Sequence, residues 1–192
     1  MDSLPVKCYS LHSPEKPPPA SICIVGGTNI AHALTMSAHV SVAFALETPF
    51  GLSPTVYFGE TEGAAFYHIT LHGSATDAAG VAGQDALLTV WGALRHLGVS
   101  DVLGGATAGS INPEYKLDDW VIADDFIDSN IDRKRSIAAE ILGAEAARIL
   151  PRHVPADDPL LRKILGEETA RVAGKENVHE RGRDYPGSGR KI

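Results

Sequence analysis

An α/β layered domain is the architecture this sequence predicts, and three observations predict it. Short apolar runs rich in β-branched residues alternate with stretches of helical period, and several of those runs stop at glycine. Of the 192 residues 44% are hydrophobic and 21% charged, enough for one substantial core and too little for two. Taken in order, residues 21–25 (SICIV) form a strand that ends at Gly26-Gly27, and residues 40–46 form a second. Residues 55–58 and 65–71 read as neighbouring strands joined by the turn Glu60-Thr61-Glu62-Gly63. Residues 81–97 carry Leu87, Val90, Trp91, Leu94 and Leu97 at steps of three and four, the stripe of a helix that buries one face and closes at Gly98. Further strands are expected at 100–103 and 120–123, and helices at 136–149 and 159–172, the last with Asp158 as its cap and Pro159 in its first turn.

The two ends differ from this block. Residues 1–20, with SPEKPPPA at 13–20, read as a flexible, extended leader, and residues 181–192 (RGRDYPGSGRKI) as a flexible tail with one aliphatic side chain. A single domain over 21–180 is expected between them.

Composition narrows the function. Seventeen Lys and Arg against 24 Asp and Glu give a net charge of −7, which leaves no cation excess for a nucleic acid or an anionic membrane. No apolar stretch approaches the roughly 18–20 residues of a spanning helix, and the N-terminus lacks the apolar centre of a signal peptide. A cytoplasmic protein acting on small molecules is the expectation. Cys8 and Cys23 form no CxxC and have no histidine at ligand spacing, so neither a disulfide nor a zinc site is expected. His12, His32, His39, His68, His96, His153 and His179 are scattered without an HExxH, and no metal site is expected among them.

Three places carry possible chemistry. In ICIVGGTN (22–29) an apolar strand runs into Gly26-Gly27 and the hydroxyl of Thr28; amides at such a strand end can approach an anion closely, although a strand followed by two glycines is also the signature of a plain tight turn. Neither GxxxxGK[ST] nor GxGxxG is present, so this is not a nucleotide loop of either kind. The second place is the strand that delivers His72 to its end (ITLHG, 69–73), where an imidazole can donate to a phosphate oxygen or a ribose hydroxyl, or simply serve the fold. His68 shares the face of Thr70 and His72 if the strand is regular, and reads as a satisfied neighbour of the site. The third is GGATAGSIN (104–112), a run of small residues after a strand, against which a flat ring or a phosphate can lie. The acids of DDWVIADDFID (118–128) are too many to be buried together. Glu114, Asp118 and Asp119, nearest the third loop, follow Pro113 and are expected to face solvent at a turn.

In their order and spacing GGT (26–28), ETPFG (47–51), HG (72–73), ALRHLGV (93–99), ATAGSIN (106–112) and DDWVIADDFID resemble the nucleoside phosphorylases of the 5′-methylthioadenosine phosphorylase and trimeric purine nucleoside phosphorylase type, with RHVPADDPLLRKIL extending the likeness to residue 165. The resemblance implies a mixed central sheet flanked by helices, a trimer, and phosphorolysis of a purine nucleoside, 5′-methylthioadenosine favoured, to a free purine and a ribose 1-phosphate. Inorganic phosphate is the co-substrate and no cofactor is implied. Position by position it implies phosphate binding by Gly27, Thr28, His72, Ala106 and Thr107, with Gly26 opening the cradle, and base binding by Ala108 and Gly109. It identifies no catalytic residue that helps the purine leave. Leu71 stands where the family carries an arginine, Ala86 and Val90 lie near positions where it carries asparagines, and the region that supplies its acid for the leaving purine has no counterpart after residue 182. A catalytically weak relative with a binding or assembly role is the alternative expectation.

Overall fold

The computed structural model of the chain describes residues 7–10, 17–27, 40–70, 86–126, 137–143, 145 and 155–180. The chain groups into two compact units, residues 1–107 with 132–148, and residues 108–131 with 149–192.

The first unit is a seven-stranded sheet with a helix on it. Its strands are β1 (Lys7–Ser10), β2 (Ile22–Gly26), β3 (Val40–Thr48), β4 (Gly51–Leu52), β5 (Val56–Thr61), β6 (Ala64–Thr70) and β7 (Asp101–Gly104), in the order β1-β3-β5-β6-β2-β7 with β4 folded back on β3. β1, β3, β5 and β6 run antiparallel, whereas β6, β2 and β7 are parallel neighbours, so the sheet is mixed. β1 lies within the stretch read as leader.

Burial explains the strand sequences. Phe66, Tyr67, His68 and Ile69 are all buried, as expected of a central strand, with His68 the polar member of the run. β5 and β6 are joined more tightly than the four-residue turn expected at 60–63: Thr61 pairs with Ala64, so Glu60 and Thr61 belong to the strand and the loop is Glu62-Gly63. Both loop residues have positive φ (48° and 82°), the type I′ geometry that matches the twist of a hairpin. Glycine adopts this freely and glutamate does not. Glu62→Asn is expected to stabilise the protein by about 0.5–1 kcal/mol, read as a higher urea midpoint at unchanged slope.

Helix α1 (Ala86–Leu97) covers the sheet, with Val90, Ala93 and Leu94 packed among Cys23, Val25, Phe44, Leu46, Val56, Phe58, Tyr67 and Ile69. Its stripe differs from the expected one, because Trp91 is 42% exposed while Leu88 is buried. The reason is a second buried edge: a Cβ at Gly92, one turn after Leu88, would lie 3.2 Å from the Phe50 ring and 3.4 Å from Thr48 Cβ, so the helix also meets the β3–β4 turn closely. That turn is the ETPFG segment, closed by the Thr48 hydroxyl, which donates to Gly51 O (2.7 Å) and accepts from Phe50 N–H (3.1 Å). The helix stops as expected at Gly98 (φ 75°), where Gly98 N–H donates to Arg95 O (3.2 Å) and Val99 N–H to Leu94 O (3.1 Å), a Schellman closure. Helix α2 (Ile137–Leu142) begins where the 136–149 helix was expected and breaks sooner, at Gly143 with φ 84°.

The second unit is small and built on α3 (Pro159–Ala173). Asp158 caps it as predicted, its Oδ1 accepting from the N–H groups of Leu160 and Leu161 (2.9 Å each), with Pro159 in the first turn. After Gly174 (φ 90°) a single 3-10 turn leads into β9 (Val178–His179), a strand the sequence reading misses. β9 pairs in parallel with β8 (Trp120–Val121), which is two residues long where four were expected because its partner offers only two. Arg162 of α3 holds this pair together: its side chain donates to Ala123 O (2.9 Å), to Ile122 O (3.4 Å) and to Glu180 O. Among the described residues no helix is long and apolar enough to cross a membrane.

Candidate functional site

The parallel part of the sheet positions the candidate site. In the ladder Val25 faces both Ile69 and Gly104, and Gly26 faces Thr70, so β6, β2 and β7 end side by side at their C-terminal edge. Neighbouring strands lie about 4.8 Å apart. The segments that follow, Gly27 after β2 and Gly105-Ala106-Thr107 after β7, therefore leave the sheet at one edge, and Gly105 N–H donates to Val25 O (3.1 Å) to hold the two together. This is the edge at which open α/β sheets take their ligands.

The run after β7 is open to solvent, with residues 104–111 all exposed. Among the described residues a Cβ at Gly104 or Gly109 would meet nothing within 4 Å, so close packing does not require glycine at either position. The run ends in a knot of local bonds: Asn112 N–H donates to Ser110 Oγ (3.1 Å), Ser110 Oγ donates to Asn112 O (2.9 Å), and Glu114 N–H donates to Asn112 Oδ1 (3.0 Å). Asn and Ser at such spacing make turns of this kind by preference.

Beneath the edge sits a buried polar pair. His68, 1% exposed, lies on β6 opposite Ile24, its ring stacked against Tyr57 with centroids 6.2 Å apart. Its Nδ1 is 2.9 Å from Ile24 O, and since a carbonyl only accepts, the proton is assigned to Nδ1. Burial holds the imidazole below its usual pKa of 6.5, partly offset by this bond, so the ring is neutral near pH 7 and Nε2 accepts from Thr70 Oγ1–H (3.3 Å). His68 is thus the satisfied neighbour the alternation suggests. Its folded pKa lies below the unfolded one, so burying His68 costs no stability above pH 6.5 and costs progressively more as pH falls below that value. Urea midpoints between pH 7.5 and 5 should fall in the wild type, and fall less in His68→Phe.

Of the sequence-predicted residues, Gly26, Gly27, Ala106 and Thr107 stand at the C-terminal edge of the first unit. Ala108 and Gly109 open the second unit and are exposed. Leu71, Thr28 and His72 lie outside the described residues. Thr70 was not singled out from sequence, although the alternation that placed His68 under the site also places Thr70 on its rim.

The acids near the third loop divide. Glu114 and Asp118 are exposed, as expected, but the side chain of Asp119 is only 7% exposed. Asp119 Oδ2 accepts from Lys116 N–H (2.9 Å) and from His179 Nε2 (2.9 Å), and these two bonds, the Lys116 one foremost, hold its carboxyl below the usual carboxylate range. The Tyr115 ring lies over His179 with centroids 4.2 Å apart. Asp119 immediately precedes β8 and His179 ends β9, so the pair reads as a clasp across the two strands.

Comparison with known proteins agrees with this architecture. The sequence profile of the Phosphorylase superfamily matches residues 21–185. The S-methyl-5′-thioadenosine phosphorylase of Thermococcus kodakarensis is 34% identical over 165 residues, which span 84% of this chain and 58% of that protein. Two solved structures from Schistosoma mansoni share the fold: a mutant of adenosine/methylthioadenosine phosphorylase in complex with adenine, at 20% identity and a TM-score of 0.62, and purine nucleoside phosphorylase in complex with adenosine, at 18% identity and a TM-score of 0.56. This chain covers 61% and 58% of those two, and each covers 84% of it. With the profile matched over most of its length and a mixed sheet of the nucleoside phosphorylase kind, the chain belongs to the phosphorylase superfamily.

Proposed function

We propose that the site at the ends of β2, β6 and β7 serves phosphorolysis of the glycosidic bond of a purine nucleoside, 5′-methylthioadenosine favoured, releasing the purine and a ribose 1-phosphate. The observation that carries this reading is the 34% identity to an S-methyl-5′-thioadenosine phosphorylase, and the superfamily profile matched over residues 21–185 takes in all three strand ends. The chemistry suits the edge. Phosphorolysis has a transition state of oxocarbenium character at C1′, and the attacking phosphate must be held beneath it. Backbone N–H groups after Gly26 and Gly104, with the Thr28 hydroxyl and the His72 imidazole, are the donors assigned to that anion, and Ala108 and Gly109 are assigned to the base. The cytoplasm as location and a homotrimer as assembly go with this reading.

A second reading keeps the binding and loses the turnover. It is favoured by the engagement of Asp119 in its clasp and by Leu71, which stands where the resemblance leads one to expect an arginine. Both readings expect phosphate to bind. Isothermal titration with inorganic phosphate should show saturable binding that Thr28→Val weakens by about 1–2 kcal/mol, the order of one hydrogen bond. Absence of phosphate binding in the wild type would sink both.

A further inference from the structure

We infer that His179 is a positioning residue for the nucleobase, holding the loop that carries Ala108 and Gly109 through the ring of Tyr115; the inference rests on the phosphorolysis reading above, which assigns those two residues to the base. The loop needs such a post. From Gly104 to Trp120 every residue is exposed except Asn112, Tyr115 and Asp119, so Ala108 and Gly109 bury little themselves and are fixed from further along the chain. The three exceptions form one line of contact. Asn112 is tied back to Ser110 by the two bonds described above, and Tyr115 N–H donates to Asn112 O (3.2 Å), which joins the knot after Gly109 to Tyr115. The Tyr115 ring lies over His179, with centroids 4.2 Å and planes 30° apart, and Asp119 Oδ2 accepts from His179 Nε2 at 2.9 Å. Tyr115 and Asp119 thus meet on one imidazole.

That imidazole stands on fixed backbone. His179 pairs with Val121 in the ladder of β8 and β9, its carbonyl accepts from Ile122 N–H (2.8 Å), and the carbonyl of Glu180 accepts from Arg162. An aliphatic residue at 179 would serve this ladder as well. The imidazole adds a donor in its plane and a face above it, and a side chain held both ways keeps one orientation. The consequence falls on the base. A loop of small residues takes a flat ring against its backbone, and such a contact is strong only where the loop is already ordered before the ring arrives.

Two measurements on the full chain test this. In the wild type the amide resonances of Ala108 and Gly109 should shift when adenine is added. Calorimetry with adenine should then compare variants under conditions where circular dichroism shows each of them folded. Tyr115→Leu and His179→Ala should each bind adenine about five- to thirtyfold more weakly than the wild type, the cost of fixing the backbone of one further residue on binding. The double variant should bind no more weakly than either single one, because both act through one contact. Tyr115→Phe keeps the ring and should keep wild-type affinity, and inorganic phosphate should bind all four variants as it binds the wild type. A clasp that serves the fold alone would lower the urea midpoint of these variants and leave their adenine affinity unchanged. That outcome, additive losses in the double variant, or an equal fall in phosphate affinity overturns the inference and leaves the phosphorolysis reading standing. Adenine that fails to bind the wild type, or binds without moving Ala108 and Gly109, overturns the base assignment and the inference with it. Where His179→Ala folds poorly, Tyr115→Leu decides alone, and undiminished adenine affinity in it overturns the inference.

Discussion

Tyr67→Ala is expected to remove about 3–5 kcal/mol of stability, the cost of deleting a large buried aromatic and leaving a cavity. Tyr67 is 1% exposed on the central strand β6 and is gripped on two sides, with its ring edge-to-face on Phe44 (centroids 6.1 Å, planes 82° apart) and on Phe58 (5.9 Å, 62°). Its hydroxyl donates to Pro18 O, which ties the chain before β2 to the underside of the sheet. Tyr67→Phe keeps both ring contacts and removes the hydroxyl with its bond to Pro18 O, so it should cost about 1 kcal/mol. Urea unfolding of the three proteins side by side measures both steps. Since a domain is stable by only about 5–15 kcal/mol, the alanine variant should lose a large share of its stability and unfold at a markedly lower urea concentration. Equal losses in the two variants would show that the hydroxyl, and not the aromatic cluster, holds this part of the fold.

Release of adenine from 5′-methylthioadenosine in phosphate buffer is expected to run at least about a hundredfold slower with the 192-residue chain than with a full-length phosphorylase, the low end of what a positioned general acid contributes. The purine must gain a proton or a strong hydrogen bond as the bond to C1′ breaks. Near the proposed base loop Glu114 and Asp118 are exposed, so neither sits in the enclosed site that positions a general acid. Asp119 is less suited still, because the bonds from Lys116 and His179 favour its ionised form. Steady-state purine release by protein of confirmed mass is the measurement. A full rate would return Glu114 and Asp118 to consideration as acids, and Glu114→Gln and Asp118→Asn would separate them.

Local chemistry was legible from the residues alone. Asp158 and Pro159 announced the start of α3, Gly98 the end of α1, and the apolar runs the cores of β2, β3, β5 and β6, because caps, φ > 0 positions and strand periodicity are properties of a few neighbouring residues. The superfamily itself was readable in the order of its short motifs. Tertiary structure alone decided what depends on partners distant in sequence. Trp91 fits a helical stripe yet stands exposed, because α1 turns Leu88 and Gly92 toward the β3–β4 turn. Val178 and His179 carry no strand signal of their own and become β9 because β8 and Arg162 are there to receive them. Asp119 reads as one solvated acid among many until His179, 60 positions along the chain, closes on it. His68 is an ordinary strand histidine in the sequence; its ring proton is placed by a carbonyl on the neighbouring strand, 44 positions away. Hydrogen-bond direction is a property of the assembled sheet, and no local pattern encodes it.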